Sequence, residues 1–533
     1  MIRARIGWLV AYASATFLAF PHPVGDRVVD LGFALAFVAP AFLIGGVRGL
    51  PPGAAARFGF LASLLAHSAV LHWIYVVTVV YGQAPPLVGV LAPVGLAVYI
   101  AVFGAAFGAG AAWLERRGAA GPFALAALWT TLDWLRHHFL SGFPWGVIGY
   151  AQHDNPALMA LAAFGGVYVL SFVTVLGSAV GIALLRAARA GRRPPREVAF
   201  ATAVVTLALA AGFAQGAREG APPTGSIRIA VVQGNIDQGV KWSEAFQEET
   251  MAIYEGLSRQ AGAQGAELIL WPETAVPASL ETDARFRTRL EDLARELDAV
   301  LVVGAVGIEH DQRGLRYYDS AYVFDTGGQR LHRYDKSHLV PFGEYVPFRD
   351  LLGLVIGAVA RGMATDNVTP GEAPRALALP LPERPGRSRA LEAPPVMLAG
   401  VPICYELLFP DLVRRFVAEG AEVLLALTND AWYGRTGAPY QFLAITALRS
   451  AETRVWTARA ANTGVSAFID DRGRVRSQTR IFERGFLVAD VPLRSDAAAR
   501  SFYVRHGDVF AWSCCAFVVA WGALRRRQKE APR

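Results

Sequence analysis

Three short segments carry groups of complementary chemistry: a carboxylate in Trp271-Pro272-Glu273, an amine in Tyr334-Asp335-Lys336 and a thiol in Ile403-Cys404-Tyr405-Glu406. Each follows a run that reads as a β-strand, where a loop exposes side chains. Together they form a workable set for acyl transfer: the thiolate attacks a carbonyl, a positioned carboxylate takes its proton, and the cation steadies the oxyanion. Singly, each has a plainer role. A lone cysteine packs as a small hydrophobe, a lysine makes a surface charge, and a glutamate caps a helix or forms an ion pair. Of the three cysteines, Cys514 and Cys515 are adjacent inside an apolar run, so Cys404 stands alone in the polar region and no disulfide framework is available.

The elements that must hold these groups alternate in type between about Ser226 and Leu493. Strand candidates are Ile227 to Val232, Leu268 to Trp271, Val300 to Val306, Tyr318 to Phe324, Val396 to Val401, Val423 to Leu427 and Val465 to Ile469. Helices are expected over Trp242 to Ala261, Asp283 to Leu297, Phe409 to Glu419 and Gln441 to Ala460. That alternation predicts an α/β domain over 226–493, preceded by a linker at 219–225 and carrying a loop insertion from Pro380 to Pro395.

The remainder is too apolar for a soluble protein, with 53% hydrophobic and 18% charged residues overall. Apolar runs near Ile6 to Phe20, Leu31 to Val47, Phe58 to Tyr81, Leu87 to Leu114, Pro122 to Leu135, Leu158 to Leu185, Val198 to Phe213 and Val509 to Leu524 predict eight transmembrane helices. Seven fall in residues 1–218, and the eighth, with a basic tail, in 494–533. The fifth run is crowded at its end by Asp133, Arg136, His137 and His138. Arginines gather on alternate connections: Arg3 and Arg5, Arg48 and Arg57, Arg116 and Arg117, the cluster Arg186 to Arg196, and Arg525 to Lys529. The positive-inside rule then places both termini in the cytoplasm and the α/β domain outside it. The formal charge of +7 is explained by these topology signals, so no nucleic-acid partner is expected.

Longer motifs surround the three reactive groups. Trp271-Pro272-Glu273-Thr274, the stretch from Tyr334-Asp335-Lys336 through Pro341-Phe342-Gly343-Glu344-Tyr345, and Cys404-Tyr405-Glu406 resemble those of the nitrilase superfamily and, more narrowly, of the apolipoprotein N-acyltransferases. Gly142-Phe143-Pro144-Trp145, Gln233-Gly234-Asn235 and Thr428-Asn429-Asp430-Ala431-Trp432-Tyr433-Gly434 extend the resemblance over essentially the whole chain. It implies a nitrilase-like αββα sandwich beside the helix bundle, in the inner membrane, with the sandwich in the periplasm. It also implies a ping-pong acyl transfer. Cys404, activated by Glu273, takes an acyl chain from a phospholipid such as phosphatidylethanolamine, and the thioester is consumed by the α-amino group of a diacylglyceryl-cysteine at a lipoprotein terminus. Lys336 stabilises the tetrahedral intermediates, Glu344 is a further carboxylate near the triad, and Tyr405 and Glu406 shape the site. Glu344 also suits a plain turn residue. Trp242 and Trp432 either line the acyl or headgroup pocket or serve as core or membrane-belt residues. No cofactor and no metal are implied, and a monomer is expected.

Two other classes share some of these features: a membrane-tethered amidase with water as acceptor, and a non-enzymatic lipid transporter or scaffold. The bundle speaks against the first and the intact Glu273, Lys336 and Cys404 against the second. Lipid must still reach an exported site, and the run Leu351, Leu352, Leu354, Val355 and Ile356 is either a mobile arm dipping into the membrane or a buried helix. His338 lies two residues past Lys336 and offers the commoner cysteine partner, but the resemblance gives it no catalytic role. Replacing His338 by alanine is therefore expected to leave acylation of Cys404 largely intact, read as the acyl mass on the Cys404 peptide. Complete loss would overturn the Glu-Lys-Cys assignment.

Overall fold

The computed structural model describes residues 2–25, 27–217, 223, 225–237, 239, 244–311, 314–347, 368–382, 396–494 and 500–530. Trp242 and the run Leu351 to Ile356 lie outside the described residues. The chain forms two compact units, one of residues 1–220, 432–454 and 501–533, the other of 221–431 and 455–500.

In the first unit every predicted apolar run carries a helix: α1 (Ile2–Leu18), α2 (Gly32–Val47), α3 (Pro52–Val70), α4 (Pro86–Arg116), α5 (Pro122–His138), α6 (Pro156–Arg189), α7 (Arg196–Ala217) and the helix Val509–Glu530. A short hairpin of β1 (His22–Val24) and β2 (Arg27–Val29) joins α1 to α2. Among the described residues four helices are long and apolar enough to cross a membrane: α3, α4, α6 and α7, of 19, 31, 34 and 22 residues. The expected count of eight is met only in part. At 17, 16 and 17 residues, α1, α2 and α5 fall short of the roughly 20 residues that a hydrocarbon core requires. The third run stops early as an α-helix, at Val70, and resumes as a π-helical turn over Val76–Tyr81. There the Thr78 hydroxyl donates to the Ile74 carbonyl at 2.9 Å, competing for an acceptor that a helix would otherwise use for its backbone.

Helices α3 and α4 touch backbone to backbone. A Cβ on Gly59 would lie 2.1 Å from the Gly104 carbonyl oxygen, and one on Gly108 2.2 Å from that of Ala55. Small residues at such a seam supply the close packing that drives helix association where lipid removes the hydrophobic difference. The polar end of α5 is folded inward. Arg136 is buried and donates to the carbonyls of Phe143 (3.2 Å) and Trp145, so it clasps the Gly142-Phe143-Pro144-Trp145 element. The Trp145 indole in turn donates to Gln441 at 2.7 Å.

Gln441 belongs to the helix Ala438–Thr453, which folds with this unit. Expected to run to Ala460, it ends at Thr453, where Arg454 takes a left-handed φ of 62° and a strand, Trp456–Ala461, follows. Aromatic and β-branched Trp456 and Thr457 favour the extended state. Within the helix, fully buried Arg449 pairs with Glu452 at 3.0 Å and lies over the Tyr150 ring. The same Glu452 oxygen accepts the Val167 N–H at 2.8 Å, just past the kink of α6 at Gly165 and Gly166. Glu452→Ala leaves the Arg449 charge and the Val167 N–H buried without this acceptor. Its expected cost is about 3–5 kcal/mol, seen as a lower Tm of the detergent-solubilised protein, with Glu452→Gln losing less.

The second unit stacks two six-stranded sheets. One has the order β14-β3-β4-β5-β6-β7 and the other β13-β12-β11-β10-β9-β8. The first comprises β3 (Gly225–Gln233), β4 (Leu268–Leu270), β5 (Val300–Asp311), β6 (Gly314–Phe324), β7 (Arg330–Asp335) and β14 (Gly485–Leu493). The second comprises β8 (Leu377–Pro380), β9 (Val396–Gly400), β10 (Val423–Thr428), β11 (Trp456–Ala461), β12 (Ala467–Ile469) and β13 (Val475–Gln478). Each sheet has a parallel centre, β3-β4-β5 and β9-β10-β11, flanked by antiparallel strands. Helices α8 (Glu244–Ala263) and α9 (Ala284–Leu297) cover the first sheet through Met251, Tyr254, Phe286 and Leu290 packed on Ile269, Trp271, Leu301 and Val303. The helix Pro410–Ala418 lies on the second, giving the αββα layering. The Gln233-Gly234-Asn235 motif stitches the sheets together. The Gln233 amide oxygen accepts from Ser466 and Thr479 hydroxyls, both at 2.7 Å, and Asn462 exchanges hydrogen bonds with Asn235 and Ile236.

Candidate active site

Glu273, Lys336, Cys404 and Glu344 converge within the second unit. Glu273 sits beyond the end of β4, on a turn where Thr274 has a φ of 47°. That turn lies flat on β5 because residue 304 is glycine: a Cβ there would fall 2.4 Å from the Pro272 carbonyl oxygen and 2.5 Å from the Thr274 nitrogen. Lys336 directly follows β7, and its backbone N–H bonds the Asp319 carbonyl on β6 at 2.8 Å. Cys404 opens a 3-10 turn after β9, with a left-handed φ of 44°. That conformation costs a non-glycine residue on the order of 1–3 kcal/mol and here aims the thiol out of a sharp bend.

The Lys336 ammonium, fully buried, is the hub. It donates to Glu273 at 3.0 Å, Glu344 at 2.5 Å and Asp319 at 3.3 Å. The three carboxylates offer oxygens within 4.8 Å of one another, a grouping able to hold a metal ion, but the lysine already places a cation among them. Cys404 is 8% exposed, and its thiol lies beside Glu273, near enough for the carboxylate's charge to bear on it. Burial, opposed by the three carboxylates that outweigh it, leaves the Lys336 pKa well above the usual lysine range. Burial drives the Glu273 pKa up, but the Lys336 charge, together with the neighbouring Asp319 and Cys404 groups, brings it below the usual glutamate value. Burial and the negative charge of Glu273 raise the Cys404 thiol well above its normal range. The resting pair is a neutral thiol on an ionised carboxylate.

Glu406 is also fully buried but stands apart from the lysine. It accepts from the Ile403 N–H (2.8 Å), the Ser337 N–H (2.8 Å), the Ser337 hydroxyl (2.7 Å) and the Tyr334 hydroxyl (2.7 Å). It thus ties the turn that carries Cys404 to the turn that carries Lys336. Tyr405 lies with its ring stacked on His338 at 5.7 Å between centroids, and His338 also packs on Phe409 at 3.9 Å. Trp432 belongs to the helical unit, 38% exposed with its ring edge-on to Tyr81. Asp319 has no signal in the sequence: an acid next to Ser320 within a strand run stands in no motif and carries no positional information. Of the Asp430–Arg459 pair, fully buried at 2.8 Å, only Asp430 lies in the Thr428 to Gly434 motif; Arg459 falls within the stretch expected to be helical.

A buried thiol, carboxylate and ammonium presented at the ends of strands in an αββα sandwich define a carbon-nitrogen hydrolase domain, and the family model described as "Carbon-nitrogen hydrolase" matches residues 228–501. Residues 13–180 match a second family model, "Apolipoprotein N-acyltransferase N-terminal domain". The chain belongs to the apolipoprotein N-acyltransferases and is an acyltransferase. It is 37% identical to the apolipoprotein N-acyltransferase of Geobacter metallireducens over 99% of this chain and 96% of that one. It is 32% identical to that of Azotobacter vinelandii, over 99% and 97%. To that of Pseudomonas syringae it is 34% identical, over 86% of each.

Glu406→Ala leaves four donors, two buried and two part-buried, without this acceptor. A loss of about 3 kcal/mol or more is expected, because each orphaned buried donor costs about 1–3 kcal/mol. Thermal unfolding reads it, together with slower alkylation of Cys404 once its turn loses register with Lys336. An unchanged Tm would contradict the anchoring role.

Proposed function

We propose that this enzyme moves an acyl chain from a membrane phospholipid, phosphatidylethanolamine being the expected donor, to the α-amino group of a lipoprotein's S-diacylglyceryl-cysteine, through a thioester on Cys404. The observation that carries the assignment of roles is the chain of contacts from the Cys404 thiol to Glu273 to Lys336. Because the thiol rests protonated, attack on the ester carbonyl must be accompanied by transfer of its proton to Glu273. The new C–S bond puts negative charge on the former carbonyl oxygen, which Lys336 stabilises. Collapse breaks the ester C–O bond, Glu273 returns the proton to the departing alkoxide, and a lysophospholipid leaves. In the second half the lipoprotein amine attacks the thioester, Glu273 takes a proton from the amine, and the C–S bond breaks. The thiolate recovers that proton, and an N-acylated lipoprotein departs. Glu344 holds Lys336 in place. Trp242 and Trp432 remain candidates for the walls of the lipid pocket.

The eight helices are read as eight spans, the short ones completed by flanking residues at the interfaces. The arginine pattern supports an inner-membrane protein with cytoplasmic termini and a periplasmic sandwich, working as a monomer. Such a site draws on lipid of its own membrane rather than on cytoplasmic acyl carriers.

The test incubates purified enzyme with phospholipid and follows the Cys404 peptide by mass spectrometry, with and without a diacylglyceryl peptide. An acyl mass that forms and passes to the acceptor amine is the expected result. Loss at the same rate without acceptor would instead mean hydrolysis, and absence of any acyl mass would end the proposal. Glu273→Gln is expected to slow thioester formation by about 10²–10⁴-fold, the usual scale for removing a general base.

A further inference from the structure

Three carboxylates share one ammonium in this site. Glu273, Asp319 and Glu344 contact Lys336 at 3.0, 3.3 and 2.5 Å, and Glu273 and Asp319 are each only 7% exposed. With all three ionised, the cluster would hold two uncompensated negative charges away from water, which like-charge repulsion and desolvation forbid. At least one carboxyl therefore keeps its proton. The hydrogen bonds indicate which. Glu344 is saturated by donors, with one oxygen on Lys336 and the other on the Val340 N–H at 2.8 Å. Glu273 accepts from Lys336 and faces the Cys404 thiol. Asp319 receives the longest of the three lysine contacts, its second carboxylate oxygen is buried with no hydrogen-bond partner among the described residues, and its carboxyl lies beside that of Glu273, with oxygens within 4.8 Å of each other. An acid with the fewest donors and an acceptor beside it is where the proton belongs.

We propose that Asp319 is a positioning residue that works in its neutral form, its carboxyl O–H donating to Glu273 and holding that carboxylate on the Cys404 thiol. The inference rests on the reading of Glu273 as the general base. Burial and the neighbouring Glu273 raise the Asp319 pKa well above its usual value; the same causes raise Glu344, but there the Lys336 and Val340 donors pull the other way, so the hydrogen-bond geometry decides for Asp319. Two consequences follow. Lys336 faces one fewer negative charge, so more of its field is left for the oxyanion. Glu273 is held by donors on both sides, Lys336 and Asp319, while its third contact, the thiol, is the one it must deprotonate. The groups facing Asp319 are Glu273 from the turn after β4, Lys336 after β7, Glu344 from the following loop, and Cys404 from the turn after β9, whose thiol lies beside Glu273.

The test compares Asp319→Asn, which keeps a neutral donor of the same shape, with Asp319→Ala, which has none. Thioester formation on Cys404 from phospholipid is the readout. Asp319→Asn is expected to stay within about fivefold of the parent, and Asp319→Ala to fall about ten- to a hundredfold, the scale of a hydrogen bond to a charged group. An infrared spectrum of protein labelled at aspartate carboxyl carbons is expected to show a protonated-carboxyl band at neutral pH that Asp319→Asn abolishes; this does not depend on how the alanine variant folds. If Asp319→Asn is as impaired as Asp319→Ala, or the band is absent from the parent, the proposal is overturned. So it is if Asp319→Ala acylates Cys404 at the parent rate. Glu273→Gln, run in parallel, separates the two readings: full activity there removes the general base and not the proton on Asp319.

Discussion

An ammonium group with no solvent exposure costs several kcal/mol to bury, and much of the second unit is arranged to offset that cost. Lys336 draws in carboxylates from three separate places: the turn after β4, the middle of β6 and the loop containing Glu344. Its own backbone reaches further, accepting at its carbonyl the Gly371 N–H and donating to the Asp319 carbonyl, both at 2.8 Å. Glu344 passes the constraint on, since its second oxygen fixes the Val340 N–H and so closes the loop on itself. One buried charge thus sets the register of four chain segments. A flexible site would not keep a lysine, a glutamate and a thiol in line.

The Cys404 turn is placed by a different carboxylate. Among the described residues Glu406 has no cation partner, and its carboxylate is met by donors from the end of β7 and from the turns of Cys404 and Lys336. Burial raises its pKa, with the Ile403 and Ser337 donors pulling the other way. This divides the labour between acidic groups of the same type. Glu273 is held where it can exchange a proton, while Glu406 holds backbone. The left-handed φ at Cys404 needs such an anchor, because a bend that costs energy persists only when its surroundings determine it.

The helical unit solves a separate problem with the same means. Where lipid removes the hydrophobic drive, glycine seams such as that between α3 and α4 bring backbones together, and buried polar groups fasten what apolar contact does not specify. The stretch 432–454 lies in sequence between strands β10 and β11 of the sandwich, yet it folds with the helices. Its Gln441, Arg449 and Glu452 find partners in Trp145, Tyr150 and the kink of α6. These polar residues make sense in a helix only because the partners are far away in sequence.

Much of this was legible in the residues themselves. Apolar runs located the helices, because a hydrocarbon core imposes length and composition locally. Alternating runs gave most of the central strands, and the local motifs singled out Glu273, Lys336 and Cys404. The edge strands β7, β8, β13 and β14 were not anticipated, since they carry polar or proline-containing sequences and exist through pairing alone. The α-helix before Trp456 was drawn too long because its end is set by the strand that follows. Asp319 had no signal at all: in sequence it is one acid in a strand, and only the fold carries it against Glu273 and Lys336. Residue types and local periodicity determine which elements form and which chemistry is available. Which acids share a proton depends on distances between segments remote in the chain, and the tertiary structure alone decides that.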